Sequence, residues 1–370
     1  MLLNELPTPQ VLIDQRRALR NIDRVQQLAS AAGVRLRPHA KTHKSPTVAG
    51  WQIERGAVGI CCAKVGEAEV FADAGVKDIR LPYPVNPSNA PRVLALMERA
   101  AMSIIVDHLA VARGWSEAMQ RAGRTLDVLV KVDVGFHRCG IDPDGDPLGF
   151  IAAIAAMPGL RLCGLLSHAG HAYHASSQDE LRSIAAAEAA MLLAIRDRAA
   201  ASGIALDEIS VGATPTLRFS VGEKGPTELR PGNYVYFDRT QVSLGAAAID
   251  DCALTVLATV VSKPAADRII LDCGSKTLTN DQARGITKAA GYGAVLTAQG
   301  GVDDSLTIER LSEEHATVRV TGATTLEPGD RVRVLPNHSC VVSNLVDAVR
   351  LVDDERVIET LPVAARGRIS

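Results

Sequence analysis

A chain of 370 residues is longer than one hydrophobic core usually supports, so two domains are expected, one of them large enough to be an α/β barrel. With 40 lysines and arginines against 42 aspartates and glutamates, it offers no electrostatic attraction to nucleic acid or to an anionic membrane, which leaves small molecules as the expected partners. The seven scattered cysteines include no C-x-x-C pair, no stretch approaches the roughly 20 apolar residues of a bilayer span, and "MLLNELPTPQ" lacks the basic and apolar regions of a leader; together these predict a protein of the reducing cytoplasm.

In chain order, a first helix, "RRALRNIDRVQQLASAAG", is followed by short strand-like runs alternating with helix-like segments. The predicted strands are "VRLRPHA", "AVGICCA", "DIRLPYP", "MSIIVD", "LDVLVKVD", "LRLCGLLSHAG", "EISVGA" and "TELRPGNYVYFD". Between them lie helices such as "GEAEVFADAG" and "HLAVARGWSEAMQRAG", which end on glycine as a C-cap requires. Eight βα units predict a (β/α)8 barrel over residues 8–240. From about Asp250 the texture changes to β-branched runs separated by turns, so residues 241–370, joined by residues 1–7, are expected to form an all-β domain.

Three places carry candidate chemistry. Lys41, in "RPHAKTHKSP", follows the first predicted barrel strand, with Ser45 as N-cap and Pro46 as first residue of the next helix. That puts it in a loop at the C-terminal face of the barrel, where a lysine is either an ordinary solvated charge or an amine able to form a Schiff base. "SVGATPT" and "LRPGNYVYFD" supply Gly212, Thr214, Gly232 and Asn233 where such barrels bind phosphate, though the glycines would serve equally as turn residues. In "RVLPNHSCVV", an extended backbone would project His338 and Cys340 to one side. An imidazole with a thiolate suits zinc better than hard cations, with manganese the alternative; the same tripeptide also occurs by chance. His171 and His174 read as solvated or substrate-facing, Cys61 and Cys62 as packing residues, and Arg218 and Arg239 as possible readers of a substrate carboxylate.

These segments together, "LPTPQVLID", "RPHAKTHKSP", "GICCAKVGEAEVFADAGVKDI", "VKVDVGFHRCGI", "SHAGHAY", "SVGATPT", "ELRPGNYVYFD" and "RVLPNHSC", resemble the fold-type III pyridoxal-phosphate enzymes, within them the D-threonine aldolase and D-serine dehydratase group. The resemblance implies an alanine-racemase-like TIM barrel with a C-terminal β domain. It also implies pyridoxal 5'-phosphate carried by Lys41, and a homodimer in which the β domain of one subunit faces the barrel mouth of the other. By the same resemblance Arg138 contacts the phenolic oxygen of the cofactor, His168 stacks on its ring, and Tyr173 lies in the active-site loop. The expected substrate is a D-configured β-hydroxy amino acid. A metal on His338 and Cys340 would act as a Lewis acid on its β-hydroxyl. Aldolase-like members carry H-x-D where this chain has His338-Ser339-Cys340, which favours elimination to a 2-oxo acid and ammonia over D-threonine aldolase chemistry. A racemase would need a second base opposite Lys41 and gives the metal pair no use. A non-catalytic cofactor carrier would resemble the barrel half alone.

Overall fold

The computed structural model describes residues 1–287 and 289–370. All eight predicted barrel strands are present: β2 (Arg35–Leu36), β3 (Ile60–Cys61), β4 (Asp78–Pro84), β5 (Ala101–Val106), β6 (Leu126–Lys131), β7 (Leu160–Leu166), β8 (Glu208–Val211) and β9 (Glu228–Leu229). They run parallel in the order β2-β9-β8-β7-β6-β5-β4-β3. The seam between first and last is bridged at His39 and Cys61, where the Cys61 amide donates to the Pro38 carbonyl at 2.7 Å. Helices follow strands as the sequence predicts, from Gln15–Ala31 through Gln178–Ala201, and Leu109–Ala122 ends on the left-handed Gly123.

The strand that precedes the barrel, β1 (Gln10–Asp14), departs from the expected boundary at residue 8. It pairs antiparallel with β10 (Leu254–Ala265) and parallel with β16 (Ala348–Asp353), inside the second domain's sheet. Its apolar centre, Val11 to Ile13, is fully covered there. Strand periodicity reports that a segment is extended but not which distant strand it joins. The remaining strands, β11 (Arg268–Leu271), β12 (Ala294–Leu296), β13 (Leu306–Leu311), β14 (Ala316–Val320), β15 (Arg331–Leu335) and β17 (Arg356–Pro362), complete a nine-stranded sheet. Twelve-residue β10 joins its two parts: its first half pairs with β1 and β15, then register shifts at Val260 and Ser262 turn its second half onto β11.

A second departure bears on the site. His338 and Cys340 do not lie on a strand, because β15 ends at Leu335 and Ser339–Leu345 is a helix with extended His338 as its N-cap. Buried partners override the β-branched run Val341-Val342. Asp238 accepts from the Ser339 amide at 3.0 Å, and the Ser343 hydroxyl donates to the Thr42 carbonyl. Ser45 is an N-cap by position, but its hydroxyl makes no cap bond and the His43 ring accepts from its amide at 3.1 Å. Among the described residues no helix is long and apolar enough to cross a membrane.

The lower barrel interior is ionic. Glu228 bridges Arg37 at 2.8 Å and Arg80 at 2.5 Å, while Arg80 also reaches Glu208 and Arg37 reaches Asp78. Burial works against charge on Glu228, but the two guanidiniums outweigh it and hold its carboxyl at about 2. Buried charges persist because each is paired.

Candidate active site

Above that ionic floor, at the C-terminal ends of the strands, lies a cavity of about 560 Å³. Its wall brings together Lys41, Arg138, His168, Tyr173, His338 and Cys340, which lie up to 299 positions apart in sequence (340 − 41). Lys41 stands exposed in the short turn Ala40–Thr42 that follows β2.

His168 follows β7, and its Nδ1 lies 2.8 Å from the Gly212 carbonyl oxygen. A carbonyl only accepts, so Nδ1 carries the hydrogen. Burial, reinforced by Lys41 and Lys131, pushes the ring's pKa well below that of an ordinary histidine. His168 is therefore a neutral aromatic plate. Phe136 meets it edge-on, with ring centres 5.7 Å apart, and Arg138 extends over Phe136 at 5.0 Å.

The residues at the ends of β8 and β9 suit a phosphate. A Cβ on Gly212 would come within 2.8 Å of the Arg230 amide nitrogen, and one on Gly232 within 3.0 Å of the His39 carbonyl and the Thr42 hydroxyl. Only glycine admits so close an approach of the two loops. Among the described residues the buried Thr214 hydroxyl has no partner, nor has the Lys131 amine. Such orphaned donors at the cavity wall fit an anionic cofactor. The Asn233 side chain is engaged elsewhere: its amide donates to Asp238 at 2.6 Å, to Ser339 at 3.0 Å and to Cys340 Sγ at 3.4 Å. It braces the His338–Cys340 segment, so that only main-chain groups at the start of the turn Asn233–Val235 remain to face the cavity.

His338 Nδ1 lies 2.6 Å from Asp281 Oδ2, the arrangement that orients a metal-binding imidazole. Burial disfavours charge on His338, but the bond to Cys340 and the carboxylates of Asp238 and Asp281 raise it to about 10. Burial likewise opposes the Cys340 thiolate, and pairing with His338 wins, bringing the thiol below its ordinary range. The Thr42 hydroxyl, beside Lys41 in sequence, is 3.2 Å from Cys340 Sγ. Imidazole and thiolate are the donors of a zinc site with positions left for other ligands. No cluster of three or more metal-ligating side chains exists among the described residues. Tyr173 lies in the turn Gly170–His174, and burial, with Cys340 and Asp238 adding to it, keeps its phenol protonated.

Of the arginines considered as carboxylate readers, neither belongs to this wall. Arg218 bonds Gln178 and lies over Phe219, and Arg239 donates to the Ala290 and Gly293 carbonyls. His174 faces the cavity, whereas His171 lies against Gly135. Lys131, Asp281 and Arg284 escape sequence reasoning. For Lys131 a signal exists, a lone charge inside the apolar strand "LDVLVKVD".

Residues 13–240 match the family model "Alanine racemase, N-terminal domain", and residues 253–352 match "Putative serine dehydratase domain". The chain is 35% identical to the D-threo-3-hydroxyaspartate dehydratase of Delftia sp. (strain HT23), with 96% of each chain covered. It is 34% identical to a D-threonine aldolase of Arthrobacter sp, over 99% of this chain and 94% of that one. The solved structure of the Delftia enzyme superposes with a TM-score of 0.91 at 34% identity, covering 98% of both chains, and a cysteine-to-alanine mutant of it has been solved in the metal-free form. With both halves matched and the barrel present, the chain belongs to the fold-type III pyridoxal-phosphate enzymes, in the D-serine dehydratase and D-threonine aldolase family.

Proposed function

We propose that this chain is a pyridoxal-phosphate- and divalent-metal-dependent lyase that dehydrates D-configured β-hydroxy amino acids to 2-oxo acids and ammonia. The observation that carries the reading is the single cavity lined by both Lys41 and the His338–Cys340 pair. Bound pyridoxal phosphate supplies an electron sink for the pair left when Cα loses its proton. The backbone at Gly212 and Gly232 and the Thr214 hydroxyl would hold its phosphate, and Arg138 and His168 would be its further contacts. Lys41 would carry the cofactor and serve as the base for the Cα proton. His338 and Cys340 would hold zinc or manganese, a Lewis acid for the β-hydroxyl. Tyr173, whose phenol stays protonated, would donate to the departing oxygen.

Cys340 in place of a carboxylate favours elimination, while 34% identity to a D-threonine aldolase keeps retro-aldol cleavage as the second reading. D-Threonine separates them. Holoenzyme that forms 2-oxobutyrate and ammonia is a dehydratase, and holoenzyme that forms glycine and acetaldehyde is an aldolase. The resemblance supports a homodimer. All seven cysteines are unpaired, which supports a cytoplasmic location.

A further inference from the structure

Lys131 is a buried amine that the proposed chemistry leaves idle. It ends β6, inside the apolar run "LDVLVKVD", is 3% exposed, and lines the same cavity as Lys41. The eight strands run β2-β9-β8-β7-β6-β5-β4-β3 and close between β2 and β3, so β6 lies four strands from β2 either way round. The two lysines therefore stand on opposite sides of the barrel mouth.

Among the described residues none of the groups facing the Lys131 amine is bonded to it. Arg230, after β9, and Arg138, in the loop after β6, oppose its charge, and His168, after β7, presents a neutral ring. Cys139, and Glu188 from the helix Gln178–Ala201, favour the charge, but Glu188 is occupied by the Ser167 hydroxyl at 2.5 Å. Burial, with Arg230 adding to it, lowers the amine to about 7, so that without cofactor it is about half protonated at pH 7. Packing gives the lysine no advantage, because a methionine would fill the same strand position without desolvating an amine.

We infer that Lys131 is a cofactor-binding residue: its amine takes a proton from solvent as pyridoxal phosphate binds and becomes the charge partner of an anionic oxygen of the cofactor. The inference rests on the cofactor assignment above. An ammonium buried beside guanidiniums is costly, and the same ammonium beside a buried oxyanion gains a charge-assisted hydrogen bond. Anion and proton therefore enter together, each raising the affinity for the other. The cofactor carries two such oxygens, on its phosphate and on its phenolic position, and either one meets the requirement.

The test titrates cofactor-free wild-type and Lys131→Met protein with pyridoxal 5'-phosphate at pH 7, 8 and 9, reading the absorbance of bound cofactor, and repeats the titration calorimetrically in buffers of different ionisation enthalpy. Protons exchanged at Lys41 and on the free cofactor are common to both proteins and cancel in the comparison. At pH 8 wild type should take up about 0.9 of a proton more than K131M, and its advantage in affinity should shrink roughly 10- to 50-fold from pH 7 to pH 9. Lys131→Gln, which keeps a polar side chain but not the charge, should behave as K131M does. Pyridoxal, which lacks the phosphate, locates the oxygen: a difference between the proteins that persists assigns it to the phenolic position, and one that vanishes assigns it to the phosphate. Equal proton uptake and parallel affinity profiles in wild type and K131M overturn the inference while leaving the cofactor reading intact. Absence of cofactor binding by wild type overturns both.

Discussion

Lys41 and Lys131 face one cavity in different environments, and their replacement should have opposite consequences. Lys41→Ala should abolish the visible absorbance of protein-bound cofactor together with turnover; a surviving band would mean that another amine holds it. Lys131 sits at the end of β6 with its amine buried and unpartnered, and burial, with Arg230 adding to it, pushes its pKa to about 7. Between that value and an ordinary lysine pKa near 10.5, the unfolded chain binds the extra proton. Stability of the cofactor-free protein should therefore rise as pH climbs from 7 to 10, by roughly 3 to 5 kcal/mol at about 1.4 kcal/mol per unit. In Lys131→Met that rise should disappear, leaving the variant more stable than wild type at pH 7. Parallel urea denaturation series at pH 7, 8, 9 and 10 read this directly, and equal pH slopes in the two proteins would contradict it. Loop position alone draws attention to Lys41. Lys131 is harder to find, because what sets it apart is that its buried amine has no partner among the described residues, which is visible only after folding.

At the scale of elements, the barrel strands were legible because turn residues and helix periodicity punctuate them at regular spacing. The His338–Cys340 segment was not. "PNHSCVVSNL" reads as extended by its β-branched residues, yet contacts from Asp238 and Thr42 make it a capped helical turn. His338 and Cys340 still converge, one as the cap and the other in the first turn, although not on the extended backbone expected. Asp281, on a loop far from both in sequence, then fixes the imidazole. Asp281→Ala should weaken zinc binding about 10- to 100-fold while leaving cofactor absorbance in place. Competition with a chromophoric chelator measures the first and a spectrum the second; undiminished zinc affinity would remove Asp281 from the site.

Across the whole molecule, the paired charges beneath the cavity tie four strands together, β2 (extended by Arg37), β4, β8 and β9. Glu228 contributes fully above the ordinary carboxyl value of 4.5, and its contribution is lost as pH falls towards 2, because its folded pKa is depressed. Glu228→Gln, which leaves Arg37 and Arg80 facing each other, should cost about 3 to 5 kcal/mol at pH 7 and flatten the acid limb of the stability profile. Denaturant midpoints at pH 7 and pH 3 would show both effects. The sequence announced two domains but not how they interlock, since strand pairing between β1 and β16 joins residues more than 300 positions apart (350 − 12 = 338). The same interlocking lets one polypeptide place its own Cys340 against its own Thr42, next to Lys41. Genetic complementation follows from this. Co-expressed K41A and C340A chains, even if they assemble freely with one another, would each lack half of a self-contained site, and neither could lend the other its missing half. Such mixtures should stay inactive, whereas recovery of up to half the wild-type rate would reveal centres shared across subunits.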